Sequence, residues 1–258
     1  MTKHILITGA TSGIGKAIAL AAARAKMAVT ITGLEAPADV SDLLATLADE
    51  GAPYHGYAQV DLSDGAAARE VVAKAASDYG GLDVVVNNAG IQHVAPLEDF
   101  ASEAWDKVIA VNLSAAFHVS AAALPVMKQG GFGRIINIAS VHGLVASAQK
   151  AAYVAAKHGI IGLTKTIALE TAKDDITCNA ICPGWVRTPL VEAQIEARAK
   201  ANGTSIAHEA RLLVAEKQPS EQFVLPSEIA EMALFLCAPQ AGAITGSSFV
   251  MDGGWTAQ

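Results

Sequence analysis

The chain has 258 residues, of which 52% are hydrophobic and 17% charged, with a formal net charge of −7. This composition excludes a disordered chain and predicts a large aliphatic core. The acidic balance argues against a nucleic-acid partner, so an anionic ligand would need a locally placed cation.

The first predicted element is a strand over residues 4–8, followed by an Ala-rich helix over 15–26 and a strand over 28–32. Strands over 56–61 and 82–86 flank a helix rich in Ala and Val. A long helix is predicted over roughly 103–127, a β-branched strand over 134–139 and a helix over 152–173. A strand over 176–181, a helix near 227–237 and a last strand over 249–252 complete the series. Alternating strands and helices with near-continuous apolar strands imply a single-domain α/β fold, a doubly wound, Rossmann-like parallel sheet.

Residues 187–219 break the alternation, because they are polar, charged and helical. An insertion at the carboxyl end of a strand lies where open α/β sheets bind ligands, so this segment is expected to be a lid. The N-terminal apolar run is too short for a signal peptide, and no run is expected to span a membrane. Cys178, Cys182 and Cys237 match no disulfide framework or zinc site. The expectation is a soluble cytoplasmic protein with buried thiols and no metal.

Thr8-Gly9-Ala10-Thr11-Ser12-Gly13-Ile14-Gly15 follows the first strand and opens the first helix. Glycines there let the backbone approach a pyrophosphate, and the helix N-terminus supplies free N–H groups. Ser140 ends the strand over 134–139, and Tyr153 and Lys157 are spaced to share one helix face. Oxidising an alcohol requires a base for the hydroxyl proton while hydride leaves carbon. A free tyrosine titrates near ~10, and lowering that by two to three units takes roughly 3–4 kcal/mol, part of which Lys157 would supply.

The spacing T-G-x-x-x-G-x-G, the run Asn87-Asn88-Ala89-Gly90, the Ser-x12-Tyr-x3-Lys set and Pro183-Gly184 resemble the short-chain dehydrogenase/reductase family over nearly the whole chain. The resemblance implies catalysis by Asn112, Ser140, Tyr153 and Lys157, with Asn112 anchoring a proton-relay water. It implies a nicotinamide cofactor on Gly9, Thr11, Ser12, Gly13, Ile14, Gly15 and Leu34, then Asp61, Leu62, Asn88, Ala89 and Gly90, and finally Tyr153, Lys157, Pro183, Gly184, Val186 and Thr188. The second strand ends Thr32-Gly33-Leu34-Glu35, with no Lys or Arg there or in the glycine loop to hold a 2′-phosphate. Glu35 would repel one. The cofactor is therefore expected to be NAD, although the family's ribose-binding Asp is missing.

The runs 140–147, 150–159, 182–186, 188–191 and 215–220, together with the terminal Asp252-Gly253-Gly254-Trp255-Thr256-Ala257-Gln258, further resemble the bacterial branch of the family that interconverts (R)-3-hydroxybutyrate and acetoacetate. That likeness implies a small anionic hydroxy or keto acid substrate. Its carboxylate would meet Gln92, His142, Lys150 and Gln194, its oxygen would meet Ser140 and Tyr153, and Trp185 and Trp255 would wall its methyl group. Membership also implies a homotetramer. The competing readings are a 3-oxoacyl thioester reductase of the same family and a non-catalytic NAD-binding sensor. The intact Ser140, Tyr153, Lys157 and Asn112 set opposes the sensor.

Overall fold

The computed structural model describes residues 2–258. Seven parallel strands form one sheet in the order β3-β2-β1-β4-β5-β6-β7. They alternate with helices: β1 (His4–Ile7), α1 (Gly13–Arg24), β2 (Ala28–Gly33), α2 (Ser41–Asp49), β3 (His55–Gln59), α3 (Gly65–Tyr79) and β4 (Val84–Asn87). Then come α4 (Ser102–Ile109), α5 (Ala115–Gly130), β5 (Gly133–Ile138), α6 (Ala151–Glu170) and β6 (Ile176–Pro183). The chain closes with α7 (Pro189–Asn202), α8 (Ile206–Ala215), α9 (Pro226–Cys237) and β7 (Ser248–Met251).

This is the expected doubly wound sheet, and burial explains its apolar strands. Every residue of β1, β4, β5 and β6 is buried, because helices cover both faces. One core places Ile5, Ile7, Val29 and Ile31 against Ile18 and Ala22 of α1 and Ile229 and Ala233 of α9. The opposite face packs Leu6, Val85 and Ile135 against Val72 of α3 and Val119, Ala123 and Met127 of α5. Strand order reverses between β1 and β4, which opens a crevice at the carboxyl ends of these two strands.

Several expectations change in detail. The first helix begins at Gly13, inside the glycine turn, and ends at Arg24. Helix α2 had no sequence counterpart in the predicted series. The long helix expected over 103–127 is present as Ser102–Gly130, with its turn widened to a π-turn over Ala110–Ser114 between α4 and α5. The expectation that no run reaches transmembrane length is also corrected. Ser102–Gly130 is long and apolar enough to cross a membrane, yet its Val119, Ala123 and Met127 are spent on the sheet.

The insertion over 187–219 is helical, as read, but it has its own apolar centre. Val191 and Ile195 of α7 meet Ala210 and Leu213 of α8, with Trp185 and Phe223 packed against them. Cys178 and Cys182 are buried, all three cysteines are free thiols, and burial pushes Cys178 and Cys237 up to about 12.

Candidate active site

Two adjoining depressions occupy the crevice. The first, of about 1110 Å³, is lined by the glycine turn, Leu34, Glu35, Asp61, Leu62, Asn88, Ala89, Gly90 and Thr188. Its floor is held by backbone. Gly9 and Gly13 take left-handed φ of 60° and 55°, and a Cβ on Gly9 would lie 2.9 Å from the Ala89 Cα. Only glycine tolerates both conditions.

The Asn88 amide donates to the carbonyls of Thr8 (2.9 Å) and Gly9 (2.8 Å), while the Asn88 and Ala89 N–H groups donate to Thr8 Oγ1. The loop after β4 is thereby laced to the turn after β1. No side chain caps α1, whose first amides open onto the groove. Glycine cradle, uncapped helix and long groove fit a nucleotide with a pyrophosphate.

At the far end, Leu34 is 67% exposed. Glu35 folds back over Gly33 and accepts a 2.8 Å hydrogen bond from Thr11 Oγ1. Asp61 accepts from the Ser63 N–H (2.9 Å) and hydroxyl (2.7 Å), and Lys107 pairs with it at 3.2 Å. These contacts hold its carboxyl down at about 2.

The second depression, of about 820 Å³, brings together Ser140, Tyr153 and Lys157 with Gln92, His142, Lys150, Trp185, Gln194 and Trp255. Ile14, Asn88, Gly90, Pro183, Gly184, Val186 and Thr188 also line it, so the two depressions meet. Lys157 is 4% exposed and donates to the Ile138 carbonyl at 2.7 Å. Its ammonium lies 5.6 Å from the Tyr153 ring centre.

Burial lowers Lys157 to about 8, with the neighbouring Cys182 opposing. Burial raises the Tyr153 phenol above its ordinary value, and the hydrogen bond with Ser140 works the other way. The expected lowering of Tyr153 is therefore opposed by its burial, which sets the direction of the shift.

Asn112 is 2% exposed. Its side-chain oxygen accepts from Ile91 N–H at 2.8 Å, and its amide donates to Ile91 O at 2.9 Å. Ile91 thereby takes one of the two acceptor sites and one of the two donors of the Asn112 amide, which fixes its orientation. The π-turn around it also loosens the main-chain hydrogen-bond pattern.

Lys150 enters α6 after Gln149, whose φ of 65° turns the chain inward. Gln149 O accepts the Ala95 N–H at 3.0 Å, drawing the loop that carries Gln92 alongside. Gln194 on α7 donates to Gln92 at 3.2 Å across 102 residues of chain.

His142 meets Ser147 Oγ at 2.8 Å, and burial, then the Lys150 charge, hold it down at about 4, so it is neutral at pH 7. Lys150 joins none of the ion pairs among the described residues, and burial alone lowers its ammonium below the usual lysine range. Its Nζ lies 5.1 Å from the Trp185 ring. Trp185 stacks on Trp255 at 6.1 Å, and Trp255 meets His142 edge-on at 5.4 Å.

Sequence reasoning missed Ile91, Val141 and Leu190 in the lining and the role of Ser147 beside His142. Apolar lining residues carry no chemical signature. Ser147 and Leu190 lie in runs that resemble the family as a whole, where neither residue type points to chemistry by itself.

Residues 9–256 match a family model described as Enoyl-(Acyl carrier protein) reductase. The chain is 53% identical to D-beta-hydroxybutyrate dehydrogenase of Cupriavidus necator, over 99% of this chain and 98% of that one. It is 48% identical to D-beta-hydroxybutyrate dehydrogenase of Rhizobium meliloti, over the full length of both. A crystal structure of a variant actinorhodin polyketide ketoreductase with NADPH superposes with a TM-score of 0.92 at 34% identity, covering 100% of this chain and 98% of that one. The fold, the laced glycine turn and these likenesses agree: the chain belongs to the short-chain dehydrogenase/reductase family, whose members bind a nicotinamide cofactor.

Proposed function

We propose that this oxidoreductase interconverts (R)-3-hydroxybutyrate and acetoacetate with NAD. The observation that carries the reading is Lys150, a half-buried ammonium with no carboxylate partner among the described residues, in the same depression as Ser140 and Tyr153. A desolvated cation beside neutral donors is a receptor for a carboxylate. Gln92, Gln194 and neutral His142 surround the same space. The stacked Trp185 and Trp255 line the same depression and would face the methyl group. The names of the two relatives point to the same substrate.

In oxidation, Tyr153 Oη takes the proton of the 3-hydroxyl, and Ser140 Oγ holds the same oxygen. A nicotinamide held in the adjoining groove would supply the acceptor for the hydride leaving C3. The fixed Lys157 ammonium favours the Tyr153 phenolate, against the burial that raises it. In reduction, Tyr153 returns the proton.

Glu35, bonded to Thr11 at the end of the cofactor groove, supports NAD by repelling a 2′-phosphate. The α7–α8 insertion acts as the lid, and its Gln194–Gln92 bond ties the closed position to the carboxylate site.

Free thiols suit a reducing cytoplasm. The acidic balance suits a protein that binds neither nucleic acid nor membrane. Exposed apolar side chains on α5 and α6, Phe117 and Leu169 among them, support homotetramer assembly through these faces.

The test is steady-state kinetics with both enantiomers of 3-hydroxybutyrate against NAD and NADP. Turnover of the R enantiomer with NAD is expected. A preference for NADP, or no activity with either enantiomer, refutes the assignment.

A further inference from the structure

Gln218 follows the lid helices and is 0% exposed, although its side chain is polar. A buried amide persists where its hydrogen bonds are made. Its oxygen accepts the Trp185 backbone N–H, and its Nε2 donates to Gln222 O at 2.6 Å. A Cβ on Gly184 would strike the Gln218 oxygen, and one on Gly253 would come within 3.3 Å of its nitrogen. Gly184, directly before Trp185, thus leaves room for this side chain, and Gly253, two residues before Trp255, leaves room first for Ser220 and then for Gln218.

The surrounding backbone bonds run in the same direction. Ser220 N–H donates to Gly253 O at 3.0 Å, and Val224 N–H donates to Trp185 O at 2.9 Å. Gln218 sits where the lid exit, the end of β6 and the C-terminal turn converge. The indole N–H of Trp185 is shielded from solvent and has no hydrogen-bond partner among the described residues. Nothing polar on the ring fixes it. Its place follows from the backbone held by Gln218, from stacking on Trp255 and from the Lys150 ammonium.

We infer that Gln218 is a positioning residue that holds Trp185 against Trp255 and thereby limits the length of the hydroxy acid admitted. The inference rests on the proposed substrate class, but its mechanical half can be read without any substrate. In a Trp105→Phe background, tryptophan emission comes from Trp185 and Trp255 alone. Gln218→Met keeps the side-chain volume and removes both hydrogen bonds. It should redshift that emission and raise acrylamide quenching at least about 2-fold. Unchanged emission and quenching in the folded variant overturn the inference, whatever the enzyme turns over.

The second reading is the ratio of kcat/KM for 3-hydroxybutyrate to that for 3-hydroxypentanoate. Gln218→Met should lower the ratio about 10-fold, through KM for the shorter acid, with kcat and NAD affinity within about 3-fold of the parent. Equal losses on both acids with a lower Tm would mean a structural role only and contradict the inference. Gln218→Glu guards against failure of the first variant to fold. A protonated carboxyl restores one acceptor and one donor, so its ratio should recover as pH falls. A ratio equal to the parent's at every pH overturns the inference. Absence of turnover on any 3-hydroxy acid in the parent enzyme would sink the functional reading and leave the fluorescence result to decide this one.

Discussion

The cofactor groove and the substrate pocket share a crevice but are built from different material. The groove is mostly main chain: left-handed glycines, an uncapped helix start, and two loops laced by Asn88 and Thr8. The pocket is mostly side chain: Ser140, Tyr153 and Lys157 on one flank, Lys150, Gln92 and Gln194 on another, and two stacked indoles. Backbone geometry is generic, so one groove serves a family that handles many substrates. Side-chain placement is local, so selectivity resides in the pocket.

The sharpest way to separate the two regions is Tyr153→Phe. It removes the hydroxyl to which the proposed mechanism assigns proton exchange with substrate, and it leaves the glycine turn untouched. Turnover should fall by up to about 10⁴-fold, with NAD affinity by fluorescence titration unchanged. Retained turnover would refute the base assignment.

Gly9→Ala attacks the other side. It combines a left-handed φ, worth about 1–2 kcal/mol against an L side chain, with crowding against the Ala89 backbone, worth about 1–3 kcal/mol. Cofactor affinity and Tm should both drop, while the preference among substrates stays as it was. Unaltered cofactor affinity would show that the laced turn is not the binding floor.

The smallest effect is a pH dependence. Lys150 loses its proton at lower pH than an ordinary lysine, so carboxylate capture is full in neutral solution and declines as pH rises. Deprotonation of Tyr153 favours oxidation in the same direction of pH for every alcohol. The ratio of kcat/KM for the hydroxy acid to that for an uncharged secondary alcohol cancels the shared part. It should fall through the alkaline range, and a ratio still flat at pH ~9.5 would mean that Lys150 titrates as an ordinary surface lysine.

Much of this division was legible in the residues. Apolar β-branched runs mark buried strands wherever they occur, and the glycine spacing and the Ser140, Tyr153, Lys157 set are local patterns. Three features were not. The π-turn at Asn112 adds one residue to a helical turn, which a 3.6-residue period cannot resolve. Helix α2 is nine residues long with only Leu43 and Leu47 buried, so its apolar stripe is faint. Gln218 looks like any surface glutamine, because the space it fills is opened by Gly184, which is distant in sequence.

The claim most exposed to refutation is that Lys150 makes a generic hydride-transfer core selective for a carboxylate. Lys150→Ala measured on 3-hydroxybutyrate and on an uncharged secondary alcohol tests it directly. Losing one partner of a desolvated pair costs about 2–5 kcal/mol, and the half-buried site places the effect near 2, or about 30-fold in kcat/KM for the acid. The alcohol should be turned over at nearly the parental rate. Equal losses on both substrates would contradict the account.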